Sequence, residues 1–331
     1  MNDVAREVGV SAKTVSRVVN DDAHVSPATA ARINDAIERL GFRRNESARL
    51  LRQGTASTIG LLLEDVSDPF YGALTRAVEE SVLAHDHQLL VSSSAEDAHR
   101  ADRLIAAFVS RGVGGLILAP ATGLDEKLLA DERAKNCPVV AFDRPLEELD
   151  VDTVLADNRG GTIAGVRHLI ERGHRRIAFF GDADSVYTAR ERRAGYRDAL
   201  ADAGIPFDPE LVLMLQPDER AGTEALGMLA ASADPPTAVF AGNNRWSVQL
   251  LRALVRHPIG LAYVGFDDFE LADVVQPGVT VVTQDPAAMG RVAADLLFRR
   301  IDGDDGPAQR VQLSTALIER GSGERLGPFV G

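Results

Sequence analysis

Two groups of side chains in this 331-residue chain are of the types, and at the spacings, that do chemistry. The first is Lys13, Arg17 and Asn20, at i, i+4 and i+7 of the stretch VGVSAKTVSRVVN. In a helix all three share one face. Long donors on such a face reach guanine edges in a major groove, while hydroxyls and amides hold phosphates. The second group follows apolar runs: Asp143 after PVVAF, Asn243 after AVFAG and Asp267 after AYVGF, with Arg190 and Arg192 near the start of a helix after AFFGDAD. Carboxylates and an amide facing an arginine suit a polyhydroxylated ligand, whose hydroxyls donate to the acids and accept from the guanidinium. Phe70 and Tyr71, after Asp68-Pro69, offer a flat apolar wall for a sugar or base. Plainer readings stand beside these. The helix face is also what a solvated amphipathic helix presents, Asp267 also suits a turn cap, Arg190 beside Glu191 equally fits a solvated helix face, and Tyr71 also fits a core.

The flanking segments read as the helices and strands that carry these groups. Ala5 is small where two helices cross, Gly9 supplies a turn residue that takes positive φ, and Ser11 sits where an N-cap belongs. A helix from Ala12 to Asn20 would bury Val15, Val18 and Val19. HVSPATAARINDAIERLGF reads as a third helix, with Ser26 as cap, Pro27 at the first position, Ile33, Ile37 and Leu40 at helical spacing and Gly41 as stop. Residues Asn45 to Arg52 can form only about two helical turns, which need outside support to be stable. From Thr58 onward, apolar strands such as TIGLLLED and GGLILAP alternate with helical stretches. A second such series begins near Asp157. This is the pattern of βαβ units around parallel sheets, and it predicts two doubly wound lobes with a ligand cleft beyond the carboxyl ends of the strands.

Composition bounds the rest. The chain is 45% apolar, long enough for a small domain and a larger two-lobed one. No apolar run approaches the roughly 20 residues that cross a bilayer, and the N-terminus lacks a signal-peptide core, so a cytoplasmic protein with no membrane partner is expected. The lone Cys137 excludes an internal disulfide framework, and beside Pro138 and Val139 it is expected as a small packed side chain. The net charge of −13 argues against nucleic acid until it is located. Up to Arg52 nine basic residues face seven acidic ones, so the acidity belongs to the body that follows. DNA affinity must then come from a few placed contacts and from dimerisation.

With the segments NESARLLRQGTASTIGLLLEDVSDPFY, DNRGGTIAGVRHLIERGHRRIAFFG, VGFDD and PGVTVVTQDPAAMGR added, the whole chain resembles the lactose repressor and galactose repressor family of bacterial transcription regulators. The resemblance implies a small all-α helix-turn-helix domain at 1–44 and a hinge helix and linker at 45–57. It implies an α/β two-lobed periplasmic-binding-protein-like core with parallel sheets at 58–331. One lobe would hold 58–156 and 285–312, the other 157–284 and 313–331, with crossings near Asp157, Asp285 and Leu313. A homodimer would recognise a pseudo-palindromic operator of about 14 to 20 base pairs. Ala12, Lys13 and Arg17 would read base edges, and Ser11, Thr14, Ser16, Asn20 and His24 would hold the backbone. In the hinge, which begins at Asn45, Leu51 would wedge into a central base step, with Ala48 as the small residue three before it. Arg192, Asn243 and Asp267 match positions that commonly touch the effector, and Asp143, Phe70 and Tyr71 match positions that line its pocket. The effector expected is a sugar or sugar derivative, with a nucleoside or purine as the alternative. The tail lacks a leucine heptad, so a dimer rather than a tetramer is expected.

Four departures from the family pattern matter. Asn243-Asn244 stands where Asn-Asp is usual, and Asn244 retains the ability to cap the following helix. Pro217 lies where several members place an aromatic, and Asp68 where many carry Asn. Only Met1 and Asn2 precede Asp3, so either Asn2 caps the first helix or the native start lies upstream. An enzyme is the main rival class, and an exported sugar-binding protein another. No G-x-S-x-G, Walker A or strand-associated G-x-G-x-x-G is present, so no catalytic residue and no cofactor is expected. The export reading leaves residues 1–52 without a use. His85-Asp86-His87 is read as a solvated cluster rather than a metal site, and His174 as a turn residue.

Overall fold

A computed structural model describes residues 2–19, 25–40 and 58–329, apart from 257 and 259. The chain forms two compact units, Met1–Thr55 and Ala56–Gly331.

The first unit contains α1 (Asn2–Val8), α2 (Ala12–Val19) and α3 (Pro27–Arg39). Gly9 takes φ +71°, where the lack of a Cβ removes the steric penalty. Val10 N donates to Ala5 O at 3.0 Å, and the chain turns into α2. Ser11 Oγ accepts from Thr14 N at 3.1 Å and Ser26 Oγ from Thr29 N at 3.3 Å, so both predicted caps form. Val4, Ala5, Val8, Val15, Val18, Ile33 and Ala36 make the core. Leu40 departs from expectation. It is 46% exposed because α3 has already ended at Arg39, and Ala36, one turn after Ile33, closes the core instead. Val19 is only half-buried, and the expected stop Gly41 lies outside the described residues.

The second unit is built on two six-stranded sheets. The first sheet contains β1 (Thr58–Leu63), β2 (Gln88–Ser93), β3 (Gly115–Leu118), β4 (Val139–Phe142), β5 (Asp152–Ala156) and β11 (Arg310–Leu313), in the order β11-β5-β4-β3-β1-β2. All its pairings are parallel. Helices α4 (Pro69–Ala84) and α11 (Pro286–Ile301) cover one face, and α5 (Ala98–Ser110) and α6 (Lys127–Ala134) the other. Strand β1 shows why its sequence is a continuous apolar run. Ile59, Leu61 and Leu63 enter one core and Leu62 the other, so both faces are dry.

The second sheet contains β6 (Ile177–Gly181), β7 (Val212–Met214), β8 (Ala238–Ala241), β9 (Ala262–Phe266), β10 (Thr280–Thr283) and β12 (Ala316–Ile318), in the order β12-β10-β9-β8-β6-β7. One correction applies to the expectation of parallel sheets: β12 runs antiparallel to β10. Only two residues separate it from β11 of the other sheet, too few for the crossover that a parallel return requires. Helices α7 (Asn158–Glu171) and α8 (Tyr187–Asp202) pack on one face, and α9 (Glu219–Ala230) and α10 (Asn244–Arg256) lie on the other. Gly195 lets α8 approach α7, since a Cβ there would sit 2.4 Å from Arg159 O.

The chain therefore passes between sheets after β5, after β10 and after β11. Cys137 is buried as expected, with its thiol pushed up to about 11 by burial. His174 is a correction: it is no simple turn residue but is buried, with Nδ1 at 2.9 Å from Thr237 Oγ1 and Nε2 at 2.8 Å from Arg325 O. His85 and His87 pack on Phe298, with centroids at 3.8 and 5.2 Å, and each Nδ1 meets a backbone carbonyl.

Candidate functional site

In the first unit, Ala12, Lys13 and Arg17 are exposed on α2, while Thr14 and Ser16 are half-buried. The opposite face of α2 carries the buried Val15 and Val18. The hydroxyl of Ser11 is engaged within the helix, capping Thr14 N and lying 2.8 Å from Thr14 Oγ1. Asn20, His24, Asn45, Ala48 and Leu51 lie outside the described residues.

In the second unit a polar cleft lies where strands of both sheets end, as expected of doubly wound folds. Glu64 follows β1 and Asp143-Arg144 follow β4 of one sheet. Asp182 follows β6, Asn243 follows β8 by two residues, and Asp267 follows β9 of the other. All these residues line one cavity, together with Asp68, Phe70, Tyr71, Thr188, Arg192, Asn244, Arg245 and Gln284. Its free space is about 40 Å³. Phe70, Asp267 and Gln284 also line a larger adjoining cavity of about 420 Å³, within the range of small-molecule sites.

Asp143 and Asp267 occupy equivalent places in the two lobes. Each takes a left-handed conformation, φ 64° and 67°, directly after a strand. Aspartate tolerates this region better than most residues, and strain of this kind gathers at ligand sites. Burial pushes the Asp267 carboxyl above its ordinary value, although Arg192 and Gln284 oppose the shift. Arg192 Nη1 lies 3.1 Å from Asp267 Oδ2 and donates to Gly242 O at 2.6 Å, its Nε donates to Asn158 Oδ1 at 2.7 Å, and the guanidinium lies 3.8 Å above the Phe266 ring. Arg192 is thus the prop that orients Asp267.

In the other lobe Arg144 is gripped by Glu64, Glu96 and Asp143. Tyr71 OH donates to Asp143 Oδ2 at 3.3 Å, so Tyr71 is both core and cleft floor. Burial raises the Glu64 carboxyl despite the guanidinium groups of Arg144 and Arg245. Several side-chain ties cross between lobes, among them Thr122 Oγ1 donating to Ser185 O at 3.3 Å and Arg310 Nη2 donating to Tyr187 OH at 3.0 Å. Arg245 Nη2 stands 3.0 Å from both Glu64 Oε1 and Asp182 Oδ2, and Asn244 Nδ2 donates to Asp68 Oδ1 at 2.8 Å.

Six of the seven sequence candidates, Phe70, Tyr71, Asp143, Arg192, Asn243 and Asp267, therefore meet in one cavity. Arg190 does not. Its guanidinium turns to the carbonyls of Asp184 and Ser185, at 3.3 and 2.6 Å. The capping expectation for Asn244 is also corrected: Asn243 Oδ1 accepts from Trp246 N at 2.8 Å and caps α10, which frees Asn244 to reach Asp68. Glu64, Arg144, Asp182, Arg245 and Gln284 were not singled out from sequence. Glu64 and Asp182 carry the same signal as Asp143, a carboxylate directly after an apolar strand. Gln284, in the short crossing after β10, carries none.

Residues 1–45 match the family model described as bacterial regulatory proteins, lacI family, and residues 166–323 match the periplasmic binding protein-like domain. The ribose operon repressor of Escherichia coli strain K12 is 32% identical over 326 residues, covering 97% of this chain and 99% of that protein. The chain belongs to the lacI family. This lacI-family chain is also 31% identical over 326 residues to the HTH-type transcriptional regulator GalR of the same strain, covering 97% of this chain and 95% of GalR. Among solved structures, the transcriptional regulator CelR–cellobiose complex superposes with a TM-score of 0.73 at 32% identity, covering 96% of this chain and 98% of that one. The Lac repressor dimer bound to operator and the anti-inducer ONPF superposes at 0.84 with 24% identity, covering 98% of each chain, a likeness of fold. As a lacI-family member the chain is a ligand-responsive, DNA-binding transcriptional repressor. Among the described residues, no helix is long and apolar enough to cross a membrane.

Proposed function

We propose that this repressor acts as a cytoplasmic homodimer without enzymatic activity and holds a pseudo-palindromic operator until a sugar enters the cleft between its lobes. Ala12, Lys13 and Arg17 read base edges, while Ser11, Thr14, Ser16, Asn20 and His24 hold the backbone. The segment 45–57 joins the DNA-binding domain, 1–44, to the core, with Asn45, Ala48 and Leu51 at the minor groove. Asp143 and Asp267 accept from sugar hydroxyls, Phe70 gives the ring an apolar wall, and Arg192 and Asn243 hold the acceptors in place.

The observation that carries this reading is the pairing of Asp143 and Asp267. Two left-handed carboxylates at the strand ends of two lobes line one cavity, in a chain whose first 45 residues match a DNA-binding family. A ligand engaging both would fix the angle between lobes, and a coupling of about 1–3 kcal/mol is enough to change operator affinity severalfold or more. A sugar is favoured because the ribose operon repressor and the CelR–cellobiose complex are similar along almost their whole length.

The test is a footprint of the purified protein on genomic DNA flanking its own gene, with and without ribose, galactose and cellobiose, repeated on Asp267→Ala. A protected palindrome whose protection changes with a sugar in the parent but not in the variant is expected. Loss of both protection and response in the variant would make Asp267 structural, and absence of any protected site would remove the regulatory reading.

A further inference from the structure

We propose that the effector is an uncharged, hydroxyl-rich molecule whose hydroxyls donate to Asp182 and Gln284, and that phosphorylated and acidic sugars are rejected. This rests on the effector reading above and narrows its chemistry.

The three guanidinium groups that line the cleft are already taken. Arg144 is held by Glu64, Glu96 and Asp143, Arg192 by Asn158, Gly242 and Asp267, and Arg245 by Glu64 and Asp182. A phosphate or carboxylate entering the cleft would meet the acids Glu64, Asp68, Asp143, Asp182 and Asp267, and no guanidinium without an acid on it. Like charges at such range repel, and anion sites depend on donors free to form charge-assisted hydrogen bonds.

What the cleft lacks is donors. Among the described residues, Asp182 Oδ1 and Gln284 Oε1 are buried and accept no hydrogen bond. Each residue is only 9% exposed and lines the cavity. Each is also held by its other polar atom. Asp182 Oδ2 accepts from Asn243 Nδ2 at 2.7 Å and from Arg245 at 3.0 Å, and Gln284 Nε2 donates to Asp267 Oδ1 at 2.6 Å. The two free oxygens are therefore fixed in advance of binding, and buried acceptors of this kind are costly until a donor meets them. A hydroxyl supplies that donor without bringing a charge.

A cationic ligand fits less well. Of the remaining carboxylates, Asp68 is engaged by the neutral donors Phe70 N and Asn244, while Asp143 and Asp267 are engaged by Tyr71 and Gln284 as well as by arginine. Burial already disfavours the charged forms of Glu64 and Asp267, and a further ion would pay the same desolvation.

Calorimetric titration of the full chain decides this, with ribose, galactose, glucose and cellobiose set against ribose 5-phosphate, glucose 6-phosphate, galacturonate and galactosamine. At least one neutral sugar is expected to bind, with its phosphorylated, acidic or amino counterpart at least tenfold weaker. Asp182→Asn, which turns a fixed acceptor into a donor, is expected to weaken that sugar tenfold or more, and Gln284→Ala severalfold. Melting curves establish that each variant folds, and if Asp182→Asn does not, Gln284→Ala decides alone. Tighter binding of a charged counterpart, binding by no neutral sugar, or unchanged affinity in the variants that fold would overturn the proposal. Footprinting on the same preparation separates the two readings. Sugar binding without DNA binding sinks the regulatory reading alone, and DNA binding without any neutral sugar sinks this one alone.

Discussion

Arg245, at the second position of α10, stands 3.0 Å from Glu64 at the end of β1 in the other lobe. The same Nη2 lies 3.0 Å from Asp182 in its own lobe, so one guanidinium fastens the cleft across its mouth. Arg245→Ala should lower stability by about 1–2 kcal/mol, because Glu64 keeps Arg144 while Asp182 loses one of its donors. Small-angle scattering should show a more extended core. An unchanged scattering profile would mean that the other ties, Asn244 to Asp68, Thr122 to Ser185 and Arg310 to Tyr187, hold the lobes together with the crossings.

Arg17 is exposed on the face of α2 opposite Val15 and Val18. Arg17→Ala should weaken operator binding by about 1–3 kcal/mol and relax specificity at one base pair. A binding assay over single-base operator variants checks this. Equal weakening on every variant would assign Arg17 to phosphate instead.

Asp268 receives both Nη atoms of Arg320 at 2.7 Å, and this hydrogen bonding holds its carboxyl below the ordinary range. A carboxyl lowered in the folded state binds its proton more weakly there than in the unfolded chain. Its contribution to stability is therefore complete above the unfolded value of about 3.9 and is lost as pH falls through the folded one. Asp268→Asn should lower stability at neutral pH and flatten its fall below about pH 4. Urea titrations across that range test this, and parallel curves for parent and variant would count against it.

Cys137 is buried, its Sγ faces Val113 O at 3.7 Å, and burial pushes the thiol up to about 11. Because the thiolate is the reactive form, iodoacetamide at pH 8 should leave the native protein unlabelled and label it fully in urea. Rapid native labelling would show that the site opens.

Local patterns were readable wherever one segment contains its own reason. Ser11 and Ser26 cap the helices they precede, and the apolar runs become buried strands, because caps and strand periodicity involve residues a few positions apart. Leu40 failed since spacing says which face a residue joins but not where the helix stops. Asp143, Asn243 and Asp267 were found by their place after strands, and Glu64 and Asp182, carrying the same mark, were missed.

The family, the two lobes and the strand ends that carry the cleft's acids were legible along the chain, because these follow from periodicity and from ordered motifs. Which polar groups are spent on the protein and which keep an unpaired oxygen is visible only in the folded chain. Asn243 gives its oxygen to a helix cap, Arg190 turns to its own loop, and Arg245 reaches Glu64 across the cleft, while Asp182 and Gln284 each keep a buried oxygen unpaired. The physical reason is that hydrogen-bond capacity is divided among neighbours in space. Those neighbours come from strands and crossings far apart in the chain, so no local pattern records the division.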